Sequence, residues 1–541
     1  MWTSHRHLLA CSLLLGCNPS TGGGGETEDT GSSSTGSSTT SGPLDGTSTG
    51  MGTTAGEASA SGESSSGTPE PTSTGADSTG SSGATGCIPG EEEGCACDGG
   101  RCGLGLVCQD DVCVASDCGN GMVDAGEECD DMNLVQSDGC DNDCTISAGA
   151  AEIVAGDEHV CIQFHTGDIK CWGNHELGRL GYPGLGEDVG DDETPADMPI
   201  VDVGSPVEQL ALGSDFSCAL LAGDEVVCWG HGQHGRLGQG NQNDLGLAES
   251  PSAIPPISLS GTPIQIATGA EHACAVFASG QLSCWGRNDH GQVGLPGLNM
   301  VGDDELPSDA PNVSVGANVL MVAAGTDHTC ALLGGGDVRC WGRDNVGQLG
   351  TPGTASDIGD NEDPSSNALV DLGGQAVNIS ARYDHTCVSY VTGEIQCWGG
   401  GASGKLGYGD TADVGDDEAV DTLMPLDLGF DPSHLATGAN HTCVRLLSTA
   451  ILCWGEGDNG RLGTASTMDL FSPPMMQVDL SKPQGPASVT AGAAFSCGRT
   501  QGSEVKCWGR NNRGQLGQGL AFPTDLGDNE VLSVVGPILL E

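Results

Sequence analysis

Residues 330–350 read CALLGGGDVRCWGRDNVGQLG, and this stretch decides how the chain folds. Cys330 and Cys340 enclose a glycine-rich turn, and Trp341 and Gly342 follow the second cysteine at once. The pattern occurs seven times at a spacing of roughly 55 residues, which is typical of a propeller or a solenoid. The seven cysteine pairs are Cys161 and Cys171, Cys218 and Cys228, Cys274 and Cys284, Cys330 and Cys340, Cys387 and Cys397, Cys443 and Cys453, and Cys497 and Cys507.

The fourth copy of the pattern predicts four β-strands, at residues 319–324, 329–333, 338–341 and 368–372. The turn from Gly334 to Asp337 joins the second and third strands into a hairpin. Cys330 and Cys340 are equidistant from this turn, and neighbouring antiparallel strands bring opposed residues within disulfide range. We therefore predict one disulfide within each repeat, which contributes about 2 to 3 kcal/mol in the chain-entropy model.

The two ends of the repeat region predict a closed ring. The first repeat opens at residues 152–156 without the Val-Asp-Val-Gly segment that precedes the second repeat at residues 201–204. The chain finishes with a matching apolar segment, Leu-Ser-Val-Val-Gly, at residues 532–536. We predict that this C-terminal strand completes the first blade, so that no long strand edge stays exposed.

Two stretches resemble the regulator of chromosome condensation family, whose repeats carry the signature W-G-x-N-x-x-G-Q-L-G. They are HTCALLGGGDVRCWGRDNVGQLG at 328–350 and GSEVKCWGRNNRGQLGQG at 502–519. The resemblance implies an all-β fold, a seven-bladed β-propeller over residues 150–541, here with one disulfide in each blade. The founding member is a nuclear exchange factor for a small GTPase and binds chromatin through basic segments. Other members are secreted or bacterial propellers that bind proteins, among them an inhibitor of β-lactamase.

Charge and cysteine content narrow the function classes. The chain has 541 residues, 17 Lys+Arg against 74 Asp+Glu, and a formal net charge of −57. A surface of this sign repels phosphate backbones, so we expect no nucleic-acid partner and no binding to anionic lipid except through an anchor. The 26 cysteines indicate an oxidising compartment outside the cytoplasm.

The N-terminus predicts export and lipid anchoring. A short apolar run, residues 8–15, ends in Leu-Leu-Gly-Cys, which resembles the lipobox of bacterial lipoproteins and makes Cys17 the predicted lipid anchor. The predicted signal peptide spans residues 1–17, and residues 18–86 form a disordered linker rich in Gly, Ser and Thr. Asn18 is not the aspartate associated with inner-membrane retention, which favours the outer membrane or cell surface.

Two small cysteine-rich modules follow the linker, at residues 87–116 and 117–147. The first has six cysteines, which behind an export signal favour a disulfide module over a zinc site, with fifteen possible connectivities. The second resembles the cysteine-rich repeat of myxobacterial surface proteins through Cys118, Cys129, Cys140 and Cys144, together with the CDD of 129–131 and the DGC of 138–140.

Two sets of repeated residues invite functional interpretations. A histidine stands two positions before the first cysteine in five repeats, and Phe216 and Phe495 replace it in the other two. Because phenylalanine is tolerated there, we predict structural, hydrogen-bonded histidines rather than a metal ring. Each repeat has one tryptophan after its second cysteine, and we predict packing between blades rather than stacking on sugars. The histidines are His159, His272, His328, His385 and His441; the tryptophans are Trp172, Trp229, Trp285, Trp341, Trp398, Trp454 and Trp508.

Acidic loops follow the Leu-Gly of five repeats, at residues 188–193, 303–305, 357–362, 413–418 and 525–530. The candidate calcium ligands in the fullest copies are Asp188, Asp191, Asp413 and Asp416. We favour local charge pairing and solvation over calcium, and predict no cofactor. The pairing partners are the bases of the adjacent loops, which run from each Trp-Gly to the following Leu-Gly or Val-Gly. Those bases are Arg179, Arg236, Arg287, Arg343, Lys405, Arg461, Arg510 and Arg513.

No catalytic motif stands out, because the repeats contain no Gly-x-Ser-x-Gly elbow and the sequence contains no phosphate-binding loop. The sequence therefore predicts a membrane-anchored, extracytoplasmic binding protein, monomeric, that presents a propeller face to a protein or polysaccharide. The alternative is an inhibitor whose loops plug the active site of an envelope or secreted enzyme. A third hypothesis is an enzyme that acts on surface glycans or peptides.

Overall fold

The structure, a computed structural model, describes residues 148–353, 356–448, 450–480, 485–519 and 525–540, and the backbone of 106–109 and 112–115. The chain divides into two units, residues 1–81 and 82–541, and the whole first unit lies outside the described residues. The lipobox, the linker and the cysteine-rich modules therefore stay predictions. Within the first module, β1 (Leu106–Gln109) pairs antiparallel with β2 (Val112–Ala115).

Seven antiparallel sheets follow, one for each repeat, and we call them blades 1 to 7. Every blade has three strands in sequential order, and the third blade adds a short fourth strand. The strands are β3 (Ala150–Ala155), β4 (His159–Phe164) and β5 (Ile169–Gly173); β6 (Val207–Leu212), β7 (Phe216–Leu221) and β8 (Glu225–Gly230); β9 (Pro263–Thr268), β10 (His272–Phe277), β11 (Leu282–Arg287) and β12 (Met300–Val301); β13 (Val319–Ala324), β14 (His328–Leu333) and β15 (Val338–Gly342); β16 (Ala376–Arg382), β17 (His385–Tyr390) and β18 (Ile395–Gly399); β19 (Pro432–Thr437), β20 (His441–Leu446) and β21 (Ala450–Gly455); and β22 (Pro486–Ala491), β23 (Phe495–Thr500) and β24 (Val505–Gly509).

Helical structure in the described residues is limited to single 3₁₀ turns, and no helix there is long and apolar enough to cross a membrane. These turns are Glu176–Gly178, Pro195–Asp197, Gln233–Gly235, Pro251–Ala253, Pro307–Asp309, Pro364–Ser366, Ala402–Gly404, Val420–Thr422, Asp458–Gly460 and Leu532–Val534. Several begin with proline, whose fixed φ suits the first helical position.

The predicted disulfides are confirmed. In blade 4 the register places Cys330 directly opposite Cys340, and the two cysteines are bonded. The other six pairs occupy the same register and are bonded in the same way. All fourteen of these cysteines are buried, so each bond staples the second and third strands of a blade inside the core.

The fourth strand of the repeat was predicted at residues 368–372, and this prediction is wrong in its extent. The segment forms no strand in blade 4; the Val370 amide donates one hydrogen bond to the Val338 carbonyl oxygen, at 2.9 Å. Equivalent single bonds occur elsewhere, for example from Val201 N to Ile169 O. The segment that follows a hairpin thus lies against the outer edge of that same hairpin.

This placement also corrects the predicted role of the C-terminus. The Ile538 amide donates to the Val505 carbonyl oxygen at 2.8 Å, so the segment belongs to blade 7 and not to blade 1. That prediction assigns each outer segment to the repeat that follows it, whereas the segment belongs to the hairpin that precedes it. Blade 1 therefore already has its own outer segment, at Val201. The tail touches blade 1 through a bond from Lys170 Nζ to the Leu540 carbonyl oxygen.

The ring is closed by contacts between the first and last blades. The first strands of neighbouring blades pack side by side, and β3 contacts both β6 and β22. On the outer side, a Cβ at Gly514 (φ +71°) would lie 2.6 Å from the Val189 carbonyl oxygen, because the loops of blades 7 and 1 meet there. Blades 1 and 2 meet in the same way at Gly178, so the last interface repeats the geometry of the first.

Candidate binding surface

The interface between neighbouring blades, here called a seam, is built around one tryptophan. Trp229 of blade 2 is buried and donates its indole N–H to the Arg179 carbonyl oxygen of blade 1, at 2.9 Å. Every tryptophan of the propeller makes the equivalent bond, and Trp172 closes the circle by donating to Gln515 O of blade 7. The prediction of packing between blades is confirmed, and the rings are out of reach of a sugar.

The repeated histidines also belong to the seams. His328 Nε2 lies 2.8 Å from the Thr386 hydroxyl of the next blade, and His159 lies 3.0 Å from the Ser217 hydroxyl. His272, His385 and His441 make the same contact with Thr329, Thr442 and Ser496. The prediction of structural, hydrogen-bonded histidines is confirmed. In the described residues, groups of three or more possible metal ligands contain only carboxylates.

The hydroxyl group determines the histidine tautomer. Ser217 donates its proton to the Arg179 carbonyl oxygen at 2.8 Å, so it can only accept from the imidazole, and His159 must donate from Nε2. Burial lowers the pKa of these histidines: to about 3 for His272 and His441, to about 4 for His328, and well below 6.5 for His159 and His385. They are neutral at physiological pH.

We define the loop face by two kinds of loop that lie at the same end of every blade. The first joins the first and second strands, as residues 156–158 do in blade 1; the second leaves the third strand after the Trp-Gly. They share one end because the first and third strands of an antiparallel meander run in the same direction. This face surrounds one mouth of the central channel.

The mouth is bridged by residues from opposite sides of the ring. Arg382 of blade 5 donates to the Asp157 carboxylate and to the Ala155 carbonyl oxygen of blade 1, at 2.8 and 2.9 Å. The Tyr383 hydroxyl donates to the other Asp157 oxygen at 3.2 Å. A hollow with a volume of about 10 Å³ remains beside this bridge, lined among others by Ser214, Ala270 and Thr326. It is smaller than a typical small-molecule site.

Arg382 is unusual within the repeats. The other six blades have glycine at its position, where a Cβ would lie 2.1 to 2.3 Å from the ring of the histidine or phenylalanine three residues later. Blade 5 accommodates the arginine with a tighter turn, in which Tyr383 takes the left-handed conformation (φ 52°). This local cost, of order 1 kcal/mol or more, indicates that the bridge is a specific feature of blade 5.

A ring of ion pairs surrounds the mouth. Arg179 contacts Asp215 at 3.0 Å, and Arg236 contacts Glu271 at 2.8 Å. Arg287, Arg343, Lys405 and Arg461 pair with Glu271, Asp327, Asp384 and Glu456 in the same zone. Most of these acids stand one residue before the repeated histidine.

The predicted pairing of the bases with the acidic loops is therefore largely wrong. Among the ion pairs of the described residues, Arg513 is the one predicted base that contacts such a loop, through Asp188 at 3.4 Å. Arg510 is exposed. Arg179, Arg236, Lys405 and Arg461 are buried and pair with the acids around the mouth, whereas Arg287 and Arg343 pair with such acids while partly exposed.

The acidic loops form carboxylate clusters farther out on the face. Asp191 and Asp416 belong to trios with the two acids that follow each of them, and a third trio spans residues 303–305. Asp188 and Asp413 do not join the trios, since they accept from His175 and from the Gly401 amide. Burial, together with the neighbouring carboxylates, raises the pKa of Glu193 to about 7.

Arg382 allows a direct test of the bridge. We expect Arg382→Gly to remove the contact with Asp157 while restoring the turn of the other six blades. The expected loss of stability at low salt is about 1 to 3 kcal/mol, because a charged hydrogen-bond pair is removed. The free energy of unfolding should be measured in a double-mutant cycle with Asp157→Asn. A loss that does not change in the Asp157→Asn background would contradict the bridge.

Comparison with known proteins agrees with this architecture. Models of the regulator of chromosome condensation (RCC1) repeat match residues 207–236, 264–292, 322–348 and 487–515, and a second model matches 224–276 and 279–332. The crystal structure of yeast RCC1 (Prp20) with Kap60 is similar at TM-score 0.53 and 18% identity, covering 71% of this chain and 84% of that one. Human WBSCR16 is similar at TM-score 0.52 and 19% identity, over 64% and 86% of the two chains.

Sequence relatives extend over most of the propeller. The ultraviolet-B receptor UVR8 of Arabidopsis thaliana is 32% identical over 400 residues, which are 72% of this chain and 82% of UVR8. The human E3 ubiquitin-protein ligase HERC2 is 27% identical over 361 residues, but the match spans only 7% of that protein. From its seven repeats, its seams and these similarities, the chain belongs to the regulator of chromosome condensation (RCC1) repeat family.

Proposed function

We propose that this protein is a binding protein on the outer side of a bacterial membrane, anchored through Cys17, whose loop face captures a protein partner. The observation that carries the proposal is the contrast between constant seams and variable loops. The same tryptophan bond recurs at all seven seams, whereas the loops of the loop face differ in length, charge and apolarity from blade to blade. Rigid scaffolds that present variable loops commonly serve recognition.

The charge distribution supports a cationic protein as the partner. Among the described bases, Arg510 alone is exposed, because the others are buried or half-buried and bond to carboxylates or carbonyl oxygens. Exposed acids such as Asp192, Asp304 and Asp417 dominate the loop face. A field of this sign attracts basic surfaces and repels nucleic acid and acidic glycans.

A protein is also a better partner than a polysaccharide. Sugar-binding surfaces use several exposed aromatic rings. Every tryptophan of the propeller is buried in a seam, and the exposed phenylalanines of the described residues are Phe430 and Phe471. The hollow at the mouth is too small for an oligosaccharide, and its Asp157, Arg382 and Tyr383 are bonded to one another.

Capture of a partner tests this proposal. The oxidised full chain should be immobilised and exposed to an envelope extract at low salt. We expect a basic protein to be retained and to elute as the salt concentration rises. Retention that is independent of salt, or the same retention by an unrelated acidic propeller, would contradict the proposed role.

The anchor can be tested separately. Cys17→Ser should move the protein from the membrane fraction to the soluble fraction, because stable attachment needs the acyl chains. Met51→Ser, in the predicted linker, is the control and should leave the fractionation unchanged. A Cys17→Ser protein that stays with the membrane would contradict lipid anchoring.

One observation favours the inhibitor alternative. One loop of blade 6 exposes several apolar side chains close together, as a loop that plugs an enzyme cleft would. Titration of a panel of secreted and envelope hydrolases should then reveal one that is inhibited at a 1:1 ratio. Absence of inhibition across the panel would remove this alternative.

A further inference from the structure

Blade 6 departs from the loop pattern of the other blades at residues 468–476, which we call the blade-6 segment. Leu470 forms the bridge to Gly455 that Val414 forms to Gly399 in blade 5. The next residue is glycine in the other six blades and Phe471 here, and Ser472 and two prolines replace the acids that follow Gly415. Blade 6 thus has an apolar loop at the position where five other blades have an acidic loop.

The structure exposes the apolar side chains of this segment. Relative exposure is 71% for Met468, 41% for Phe471, 102% for Met475 and 66% for Met476. Met424 of blade 5, at the position equivalent to Met476, is 85% exposed. Isolated exposed apolar residues need no explanation, but several within nine residues mark an interaction surface.

The backbone of the segment is held in place. The Gly409 amide of blade 5 donates to the Phe471 carbonyl oxygen at 2.7 Å, and the Val478 amide donates to Ile451 O at 2.9 Å. The Asp469 carboxylate accepts from the Gly457 amide at 2.9 Å. These bonds fix the segment on both sides of its exposed methionines, so a partner meets a surface that is already ordered, which lowers the entropic cost of binding.

The charges around the segment indicate which kind of partner it attracts. Asp410 is exposed and follows the glycine that bonds to Phe471, and Asp469 and Asp479 are exposed within and just after the segment. No lysine or arginine occurs between Arg461 and Lys482, and Arg461 is buried against Glu456. A second copy of this chain, with its net charge of −57, and an anionic membrane would both be repelled.

We propose that the blade-6 segment is the apolar anchor point for a basic amphipathic segment of another protein, whose apolar face covers the methionines while its lysines or arginines meet the flanking carboxylates. Methionine suits this role because its flexible, polarizable side chain adapts to differently shaped apolar surfaces. The inference rests on the proposed binding function and names the surface and chemistry of the contact.

A peptide probe tests the inference on the full, oxidised chain. The probe is a fluorescent helical peptide with leucines on one face and lysines on the other; the comparison peptides have the same composition in scrambled order, or glutamate in place of lysine. Anisotropy titrations should show saturable binding of the basic amphipathic peptide only, weakened by added salt. Equal binding of the scrambled or the acidic peptide would overturn the proposal.

Variants locate the contact. Met475→Ser combined with Met476→Ser should weaken binding of the peptide by about tenfold or more, since two apolar contacts are lost. Val534→Ser removes a side chain of blade 7 that is 75% exposed and should leave binding unchanged. Thermal melts of both variants should match that of the parent chain. Unchanged affinity of the double variant would overturn the proposal.

The outcomes separate this inference from the proposed function. If a partner captured from envelope extract binds the double variant as tightly as the parent chain, the blade-6 inference fails and the binding function stands. If no partner is captured but the basic peptide binds the parent chain and not the double variant, the anchor point stands and the proposed capture fails.

Discussion

Thr386→Ala should destabilise the propeller by about 1 to 3 kcal/mol, and adding His328→Phe should recover most of that loss. The single change removes the hydroxyl 2.8 Å from His328 Nε2 and leaves a buried imidazole N–H without its acceptor. The double change reproduces a seam that the chain already contains, because Phe216 of blade 2 faces a blade with Ala273 at the position of the hydroxyl residue. Urea unfolding at pH 7 measures both free energies. If the double variant is less stable than Thr386→Ala, the pairing is wrong.

The same variants should differ in acid sensitivity. The pKa of His328 falls to about 4 in the folded protein because of burial, against about 6.5 in an unfolded chain. Above pH 6.5 the histidine is neutral in both states and has no effect on pH dependence. Below pH 6.5 the unfolded state binds a proton that the folded state excludes, so stability falls by about 1.4 kcal/mol for each pH unit until about pH 4. Between pH 7 and pH 5 the parent chain should lose about 2 kcal/mol more than the double variant.

Complete reduction of the disulfides should prevent the chain from refolding. One bridge that closes a short loop contributes about 2 to 3 kcal/mol, and seven of them together exceed the net stability of a typical domain, about 5 to 15 kcal/mol. Chain reduced in denaturant and alkylated should therefore stay unfolded after dilution, as measured by far-UV circular dichroism and by resistance to protease. Recovery of the native spectrum would show that the contacts between blades are sufficient for folding without the disulfides.

Two controls accompany this experiment. Reductant added to the native protein should leave most bridges intact for hours, because the sulfurs are buried in the core. Replacement of Cys387 and Cys397 by alanine removes one bridge only and should yield a folded protein that is about 2 to 3 kcal/mol less stable. Rapid loss of all seven bridges from the native protein would mean that the blades open readily.

Local and repeated features were predictable from sequence. The blade-4 strand at Val319–Ala324 agrees with the prediction, and the cysteine pairs follow from equal distances to a turn. The invariant recurrence of the tryptophans predicts that they pack between blades. Each inference needs only the local rules of strand pairing and the repetition of a pattern.

The pairing of histidine with a hydroxyl residue was missed, although its signal is in the sequence. The residue to compare is the one that directly follows the repeated histidine or phenylalanine. Where one blade has histidine, the next blade has serine or threonine at this position. Where one blade has phenylalanine, the next blade has Ala273 or Val160 there. The basic residues show a second pattern of this kind. Blades 1 and 2 have Arg179 and Arg236 directly before the Leu-Gly. Blades 3, 4 and 7 have glutamine at that position and an arginine directly after the Trp-Gly instead. Such signals appear only when neighbouring repeats are compared with each other.

The number of blades, the disulfide within each and the burial of the tryptophans follow from the amino-acid sequence, because they depend on contacts within one repeat or on strict repetition. The blade to which each outer segment belongs, the acid with which each base pairs and the contact of Arg382 with Asp157 depend on how the blades pack. Arg382 and Asp157 are 225 positions apart and Arg513 and Asp188 are 325 positions apart, so these pairs become neighbours only when the ring closes. Arg179 and Asp215 become neighbours when adjacent blades pack. The blade-6 segment shows the same division: its apolar residues are visible in the sequence, but their exposure beside Asp410 of blade 5 follows from the packing of blades.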